Sequence, residues 1–196
     1  MSRRLFDLVV ATLALAVLWP LWALAVLLIK LGSPGPAVFG QRRIGYQGRP
    51  FTCYKFRTMA AAVQDSPYSE RIDDFRSFVF NPPRSDPRVT GVGRILRRTT
   101  LDELPQLLNV VRGDMALVGP RPELPEIVAQ YPPEYHRRHD VKPGMAGLTI
   151  ANGRADLTYH EAIIYDLDYV EHHPFRRDLA ILARTAVAVL RGEGAR

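Results

Sequence analysis

An α+β fold, mostly helical with one small sheet, is what this 196-residue chain predicts, on three observations. Helical spacing recurs over residues 101–112, 123–131, 158–172 and 175–190. A single pair of aromatic and β-branched runs, residues 37–44 and 51–57, flanks the link Gly45-Tyr46-Gln47-Gly48 and reads as a β-hairpin. Residues 5–29 are apolar except for Asp7 and Thr12, which makes a helix of membrane length.

The apolar segment comes first in chain order. As one helix, its 25 residues would reach roughly 37 Å, against a bilayer core of about 30 Å. A cleaved signal peptide would have a shorter apolar region and a small-residue cleavage site, whereas Lys30-Leu31-Gly32-Ser33-Pro34 follows here. Pro20 lacks an N–H, so the carbonyl of Ala16 loses its helical partner and the helix is expected to bend there. Positive charge stands at both ends, Arg3-Arg4 and Lys30, and such charge favours the cytoplasmic side. Two arrangements satisfy the pattern: a re-entrant helix that bends at Pro20 and returns, or a kinked helix that spans. Trp19 and Trp22 lie mid-segment and read either as interfacial anchors or as packing aromatics.

Beyond the hairpin, residues 60–93 are mixed and polar, with Asn81-Pro82-Pro83 and Asp86-Pro87 as breakers. They predict a surface excursion with a short helix near Glu70–Phe78. The last helix places Phe175, Leu179, Leu182, Ala186 and Leu190 on one face, with Arg176, Arg177, Arg184 and Arg191 around the others. Such a basic amphipathic helix can pack on the domain or lie on a membrane.

Lys and Arg total 26 against 20 Asp and Glu, a net charge of +6. Residues 1–49 hold Arg3, Arg4, Lys30, Arg42, Arg43 and Arg49 against Asp7 alone. The bias fits an anionic membrane surface or a phosphorylated ligand. Nucleic acid is not expected, because no recognition helix, zinc-finger or RNP-like pattern collects these charges. The single cysteine, Cys53, excludes an internal disulfide and reads as a small buried apolar residue.

Chemistry concentrates between Arg97 and Pro122. Thr100-Leu101-Asp102-Glu103 fits a capping box, with Thr100 as N-cap and Asp102 merely complementing the helix dipole. The same carboxylates also follow Arg97 and Arg98, and Pro105 fits poorly deep in a helix that starts at Thr100. Adjacent helical residues point about 100° apart, so Asp102 and Glu103 should hold different roles. Arg121, locked between Pro120 and Pro122, is pre-organised for phosphate. Arg154, in Asn152-Gly153-Arg154, is a second loop arginine, and Asp166 and Asp168 should face different ways on one helix. His136 and His139, beside Arg137 and Arg138, read as a charged surface patch. With no Cys/His cluster, a metal should be hard and oxygen-liganded, Mg²⁺ first.

Six motifs then converge: Lys55-Phe56-Arg57-Thr58-Met59, Leu101-Asp102-Glu103-Leu104-Pro105-Gln106-Leu107, Gly113-Asp114-Met115, Val118-Gly119-Pro120-Arg121-Pro122, Val141-Lys142-Pro143-Gly144 and Asn152-Gly153-Arg154. In this order, over nearly the whole chain, they resemble the bacterial sugar transferases, the monotopic polyprenyl-phosphate phosphoglycosyl transferases, in minimal catalytic form. The resemblance implies a re-entrant membrane helix over 1–31, bent at Pro20, and a catalytic domain over 32–196 on the cytoplasmic face of the bacterial inner membrane. It implies transfer of a sugar 1-phosphate from a nucleoside diphosphate sugar, usually UDP-linked, to undecaprenyl phosphate, starting a surface glycan. It further implies Asp102 as nucleophile and Glu103 as metal partner or acid/base, both near Mg²⁺. Arg97, Arg121, Arg154 and Asp166 would surround the substrate phosphates. Membrane lipids are implied partners, and a homo-oligomer is compatible with the pattern. Trp19 stands where many members have Ser before the proline. Leu148-Thr149-Ile150 stands where an aromatic and Gln often follow Gly147. The rival readings are a lipid-binding scaffold and a nucleotide-sugar-binding regulator; neither needs a nucleophile beside the arginines.

Overall fold

In a computed structural model the described residues are 3–60, 71–79, 86–151 and 157–191. Helix α1 (Arg3–Gly32) runs on through Pro20. It buries Ala11, Ala25 and Ile29 against the domain, small or branched side chains that let the backbone lie close. Two of its charged side chains fasten it to the domain. Arg4 donates to the carbonyls of Val110 and Val111, and Asp7 accepts from the Leu117 N–H at 3.3 Å. At its other end, buried Arg57 donates to the carbonyls of Ser33 at 2.8 Å and of Pro34. On either side of Pro20 the helix presents exposed side chains, with Val17 72% and Trp19 65% exposed. Trp22 packs edge-on against Phe56, with ring centroids 5.1 Å apart, as a packing aromatic.

The hairpin forms as the sequence predicts. Strand β1 (Val38–Ile44) pairs antiparallel with β2 (Pro50–Phe56), Val38 opposite Phe56 and Ile44 opposite Pro50. Cys53 on β2 is buried. Helix α2 (Gly91–Arg98), which the sequence left unassigned, is capped by Thr90, whose hydroxyl accepts from the Gly93 N–H at 2.9 Å. A Cβ at Gly93 would sit 2.0 Å from the Thr58 carbonyl oxygen, so only glycine lets α2 approach β2's exit this closely.

The expected helix over 101–112 is broken in two: a 3-10 turn, Leu101–Glu103, then α3 (Gln106–Arg112), with Pro105 at the junction. The capping box expected at Thr100 is absent. Thr100 has φ 58° and ψ 10°, left-handed backbone, and its side chain caps nothing. A capping box does stand at Thr158–Glu161, opening α6 (Tyr159–Glu171).

A second sheet was not expected. Strand β3 (Ala116–Val118) pairs parallel with β4 (Gly144–Ala146), and each is too short for alternation to register. Helix α4 (Pro125–Val128) is shorter than the expected 123–131, and a 3-10 stretch, Pro133–Asp140, follows it. Helix α5 (Leu148–Ala151) follows β4. The short helix expected near Glu70–Phe78 is a single turn over Phe75–Ser77 among the described residues. Ile72 and Phe75 are buried against Tyr131, Tyr135 and Tyr159, so these two residues belong to a core cluster rather than to a bare surface loop.

The expected surface patch over His136–His139 holds only in part: His136 and Arg137 are exposed, while Arg138 and His139 are buried. Helix α7 (Phe175–Arg191) packs on the domain through Asp178, Ile181 and Leu182, while Leu179, Ala186 and Val187 stay exposed. The expected apolar face is therefore rotated. Asp178 turns that face inward by pairing with Arg3 at 3.2 Å and accepting from the Tyr169 hydroxyl at 2.8 Å.

Candidate active site

Three elements bring the candidate residues together. The 3-10 turn carries Asp102 and Glu103, β2 carries Lys55, and the loop after β3 carries Arg121. Asn109 of α3, fully buried, locks the first two in register. Its Oδ1 accepts from the Tyr54 N–H at 3.0 Å, and its Nδ2 donates to the Thr52 carbonyl at 2.7 Å. Beside that anchor, on the residue after Tyr54, Lys55 Nζ reaches Glu103 Oε1 at 2.9 Å, and Arg121 Nη2 reaches the same oxygen at 3.0 Å.

The two adjacent carboxylates are consequently unequal. Glu103 is buried and pairs with two cations. Asp102 is half-buried and has neither a hydrogen bond nor an ion pair to a described residue. Burial pushes the Asp102 carboxyl above the usual carboxylate value, opposed first by the charge of Lys55 and reinforced by Glu103. Burial likewise draws the Lys55 ammonium down, with Glu103 holding it up. A partly accessible carboxylate, unpaired and poised beside fixed cations, can attack an electrophile that carries negative charge.

Arg97 lies on α2 with its Nε donating to Thr58 Oγ1 at 3.0 Å, close enough for its charge to stabilise ionised Asp102. Arg154 falls outside the described residues. Asp166 is placed differently from a phosphate contact. It is 3% exposed, its Oδ2 accepts from Arg138 at 2.5 Å, and its Oδ1 accepts from the Thr149 hydroxyl at 3.1 Å. Its carboxylate is spent inside the domain, and it meets the site through Arg138, which donates to the Arg121 carbonyl. Asp168, two residues on, is half-exposed and pairs with Arg177, facing away from Asp166 as the helical spacing requires.

The sequence alone assigns Lys55 no role. Its signal was there: a lysine two residues after buried Cys53 on the same strand face, where a charge needs a partner. Arg43, Glu123 and Arg138 gave no comparable local signal. Among the described residues no three His, Cys, Asp or Glu side chains converge as a metal cage. A hard ion such as Mg²⁺ would take one or two protein carboxylates and complete its shell with phosphate oxygens and water; of the two here Asp102 has the accessible oxygens, while Glu103 Oε1 is already shared by Lys55 and Arg121.

Comparison with known proteins identifies the family of the chain. The family model described as "Bacterial sugar transferase" matches residues 1–192. A UDP-glucose:undecaprenyl-phosphate glucose-1-phosphate transferase of Caulobacter vibrioides is 42% identical, over all of this chain and 72% of that protein. The exopolysaccharide production protein ExoY of Rhizobium meliloti is 37% identical, over 99% of this chain and 88% of its own length. An undecaprenyl-phosphate galactose phosphotransferase of Salmonella typhimurium is 38% identical over 98% of this chain, which spans only 41% of that longer protein. The chain belongs to the bacterial sugar transferase family.

Proposed function

We propose that this protein transfers a sugar 1-phosphate from a UDP-sugar to undecaprenyl phosphate at the cytoplasmic face of the inner membrane. The observation that carries the reading is the asymmetry of the carboxylates: Glu103 is paired to Lys55 and Arg121, and Asp102 beside it is not. A scaffold or a nucleotide-sugar-binding regulator would have no use for a carboxylate kept unpaired among cations.

In this reading an Asp102 oxygen attacks the β-phosphorus of the donor. The bond from that phosphorus to the bridging oxygen breaks, UMP leaves with the bond pair, and a phosphosugar is held on Asp102. An oxygen of polyprenyl phosphate then attacks the same phosphorus and returns the Asp102 carboxylate. Dividing the transfer this way lets a water-soluble donor and a lipid acceptor use the site in turn. Arg121 and Arg97 bind the diphosphate oxygens, and Arg154 is offered the same task. Lys55 holds Glu103 in place and lowers the cost of ionising Asp102. Asp102 and Glu103 would hold Mg²⁺, which when bound offsets the charge of the diphosphate.

The re-entrant arrangement of α1 is supported by its contacts. Arg4 near one end and Ile29 near the other both pack on the same domain, while Val17 and Trp19 beside Pro20 are exposed. The α1 side chains that face outward, Leu13, Val17, Trp19, Leu24 and Leu31 among them, are apolar and suit a lipid surface.

The test is a single-turnover reaction with UDP-glucose or UDP-galactose and Mg²⁺, without lipid acceptor. UMP release stoichiometric with protein is expected, together with a gain of one hexose phosphate in protein mass. Asp102→Asn should abolish both while membrane association persists. Full activity of that variant would overturn the assignment.

A further inference from the structure

The three consecutive carbonyls of Pro120-Arg121-Pro122 are each held by a different part of the chain. The Gly144 N–H donates to the Pro120 carbonyl at 2.9 Å, Arg138 Nη2 to the Arg121 carbonyl at 2.8 Å, and Arg43 Nη1 to the Pro122 carbonyl at 3.1 Å. A segment with two prolines has few backbone donors with which to fasten itself, so its carbonyls are the available handles. The central handle is held by the deepest group, since Arg138 is 5% exposed.

Arg138 and Arg43 are joined behind the segment. Arg138 Nη1 donates to the Tyr131 hydroxyl at 2.7 Å, and that hydroxyl lies 2.6 Å from the hydroxyl of Tyr159. The Tyr159 O–H donates to Glu123 Oε2 at 2.8 Å, and Glu123 Oε1 accepts from Arg43 at 3.2 Å. The donor directions agree along the chain: Arg138 to Tyr131, Tyr131 to Tyr159, Tyr159 to Glu123, with Arg43 closing it from the far side. Asp166 balances the charge of Arg138. Both terminal nitrogens of Arg138 are engaged, while its buried Nε has no partner among the described residues, so the network's hold on the segment runs through Nη1 and Nη2.

We propose that Arg138 is a positioning residue, holding the Arg121 backbone so that its guanidinium meets the donor diphosphate. The proposal rests on the reading of Arg121 as a phosphate-binding residue. Only a guanidinium can reach Asp166, Tyr131 and the Arg121 carbonyl at once. A lysine keeps the charge and one of these contacts.

The experiment measures UDP affinity by calorimetry, and donor KM against kcat, for Arg138→Lys and Tyr159→Phe, each alone and combined with Arg121→Ala. Arg138→Lys should weaken UDP binding by roughly tenfold, the size of one lost hydrogen bond to a charged group. Tyr159→Phe should act in the same direction but less, mainly on KM, and it serves alone if Arg138→Lys does not fold. Both effects should disappear in the Arg121→Ala background, because Arg138 and Tyr159 would then have nothing left to position. Equal fold-losses with and without Arg121 would mean a merely structural role and would overturn the proposal. If Arg121→Ala alone binds UDP normally, the phosphate reading of Arg121 falls first and takes this one with it.

Discussion

Arg121 donates to Glu103 across 3.0 Å and so fastens the loop after β3 to the turn that carries Asp102. Because Lys55 takes the same Glu103 oxygen from β2, one carboxylate joins three elements around its neighbour. The charge arrangement and the local fold are therefore the same interaction, and disturbing one disturbs the other.

Replacing Glu103 tests this directly. Glu103→Gln leaves two cations sharing a neutral amide and should lower stability by about 2 kcal/mol. Lys55→Met alone should also destabilise, and the double variant should lose less than the sum, because each single change removes the same contact. Urea unfolding of the four proteins in detergent gives the coupling. Strict additivity would show that the 2.9 Å pair contributes nothing to stability.

Acid should destabilise the domain through His139. Its imidazole is buried and stacked on Tyr131, with ring centroids 6.2 Å apart. Burial first, and then the charge of Arg138, hold its pKa down to about 4, from an ordinary 6.5. Between those values the unfolded chain binds the proton and the folded chain does not, so stability falls as pH drops from about 6.5 to about 4. The loss should be about 2 kcal/mol, somewhat below the full value of the shift. His139→Gln should flatten the unfolding midpoint across this window; an unchanged slope would reject the assignment to His139.

Two threonines should respond in opposite ways. Thr158→Ala removes the side-chain cap of α6 and should cost about 1 kcal/mol. Thr100→Gly relieves a β-branched residue held at φ 58° and should stabilise the fold by about 1 kcal/mol. Thermal melts of the two variants check both signs. A destabilised Thr100→Gly protein would show that the threonine side chain makes a contact worth more than the backbone strain.

The re-entrant reading of α1 predicts its labelling pattern. Cysteines placed by Ser2→Cys and Pro36→Cys should both react with an impermeant maleimide only from the cytoplasmic side. Native Cys53 is 2% exposed and should stay silent in the folded protein. Labelling from opposite sides would replace the re-entrant helix with a spanning one.

Much of the fold was legible because local patterns carry it. Twenty-five residues with two polar exceptions can scarcely be anything but a long apolar helix, and the hairpin is announced by its glycines. Thr100-Leu101-Asp102-Glu103 reads equally well as a capping box, and that reading fails because the chain enters the turn through left-handed backbone. Asp166 reads from the sequence as a phosphate contact, and only the tertiary structure shows its carboxylate bonded to Arg138 and Thr149. Arg138 itself looks like one of a basic surface run until Tyr131 and Asp166 close over it.

The sequence by itself determined the apolar helix, the β-hairpin and the stretch where carboxylates meet arginines, because each is a matter of neighbours within a few residues. Which carboxylate would stand unpaired was decided only by tertiary structure. Lys55 arrives from 48 residues before Glu103, and Arg121 from 18 after it. Packing places both cations on Glu103, where burial makes the pairing worth its cost, and Asp102 is left with charge around it and no partner among the described residues.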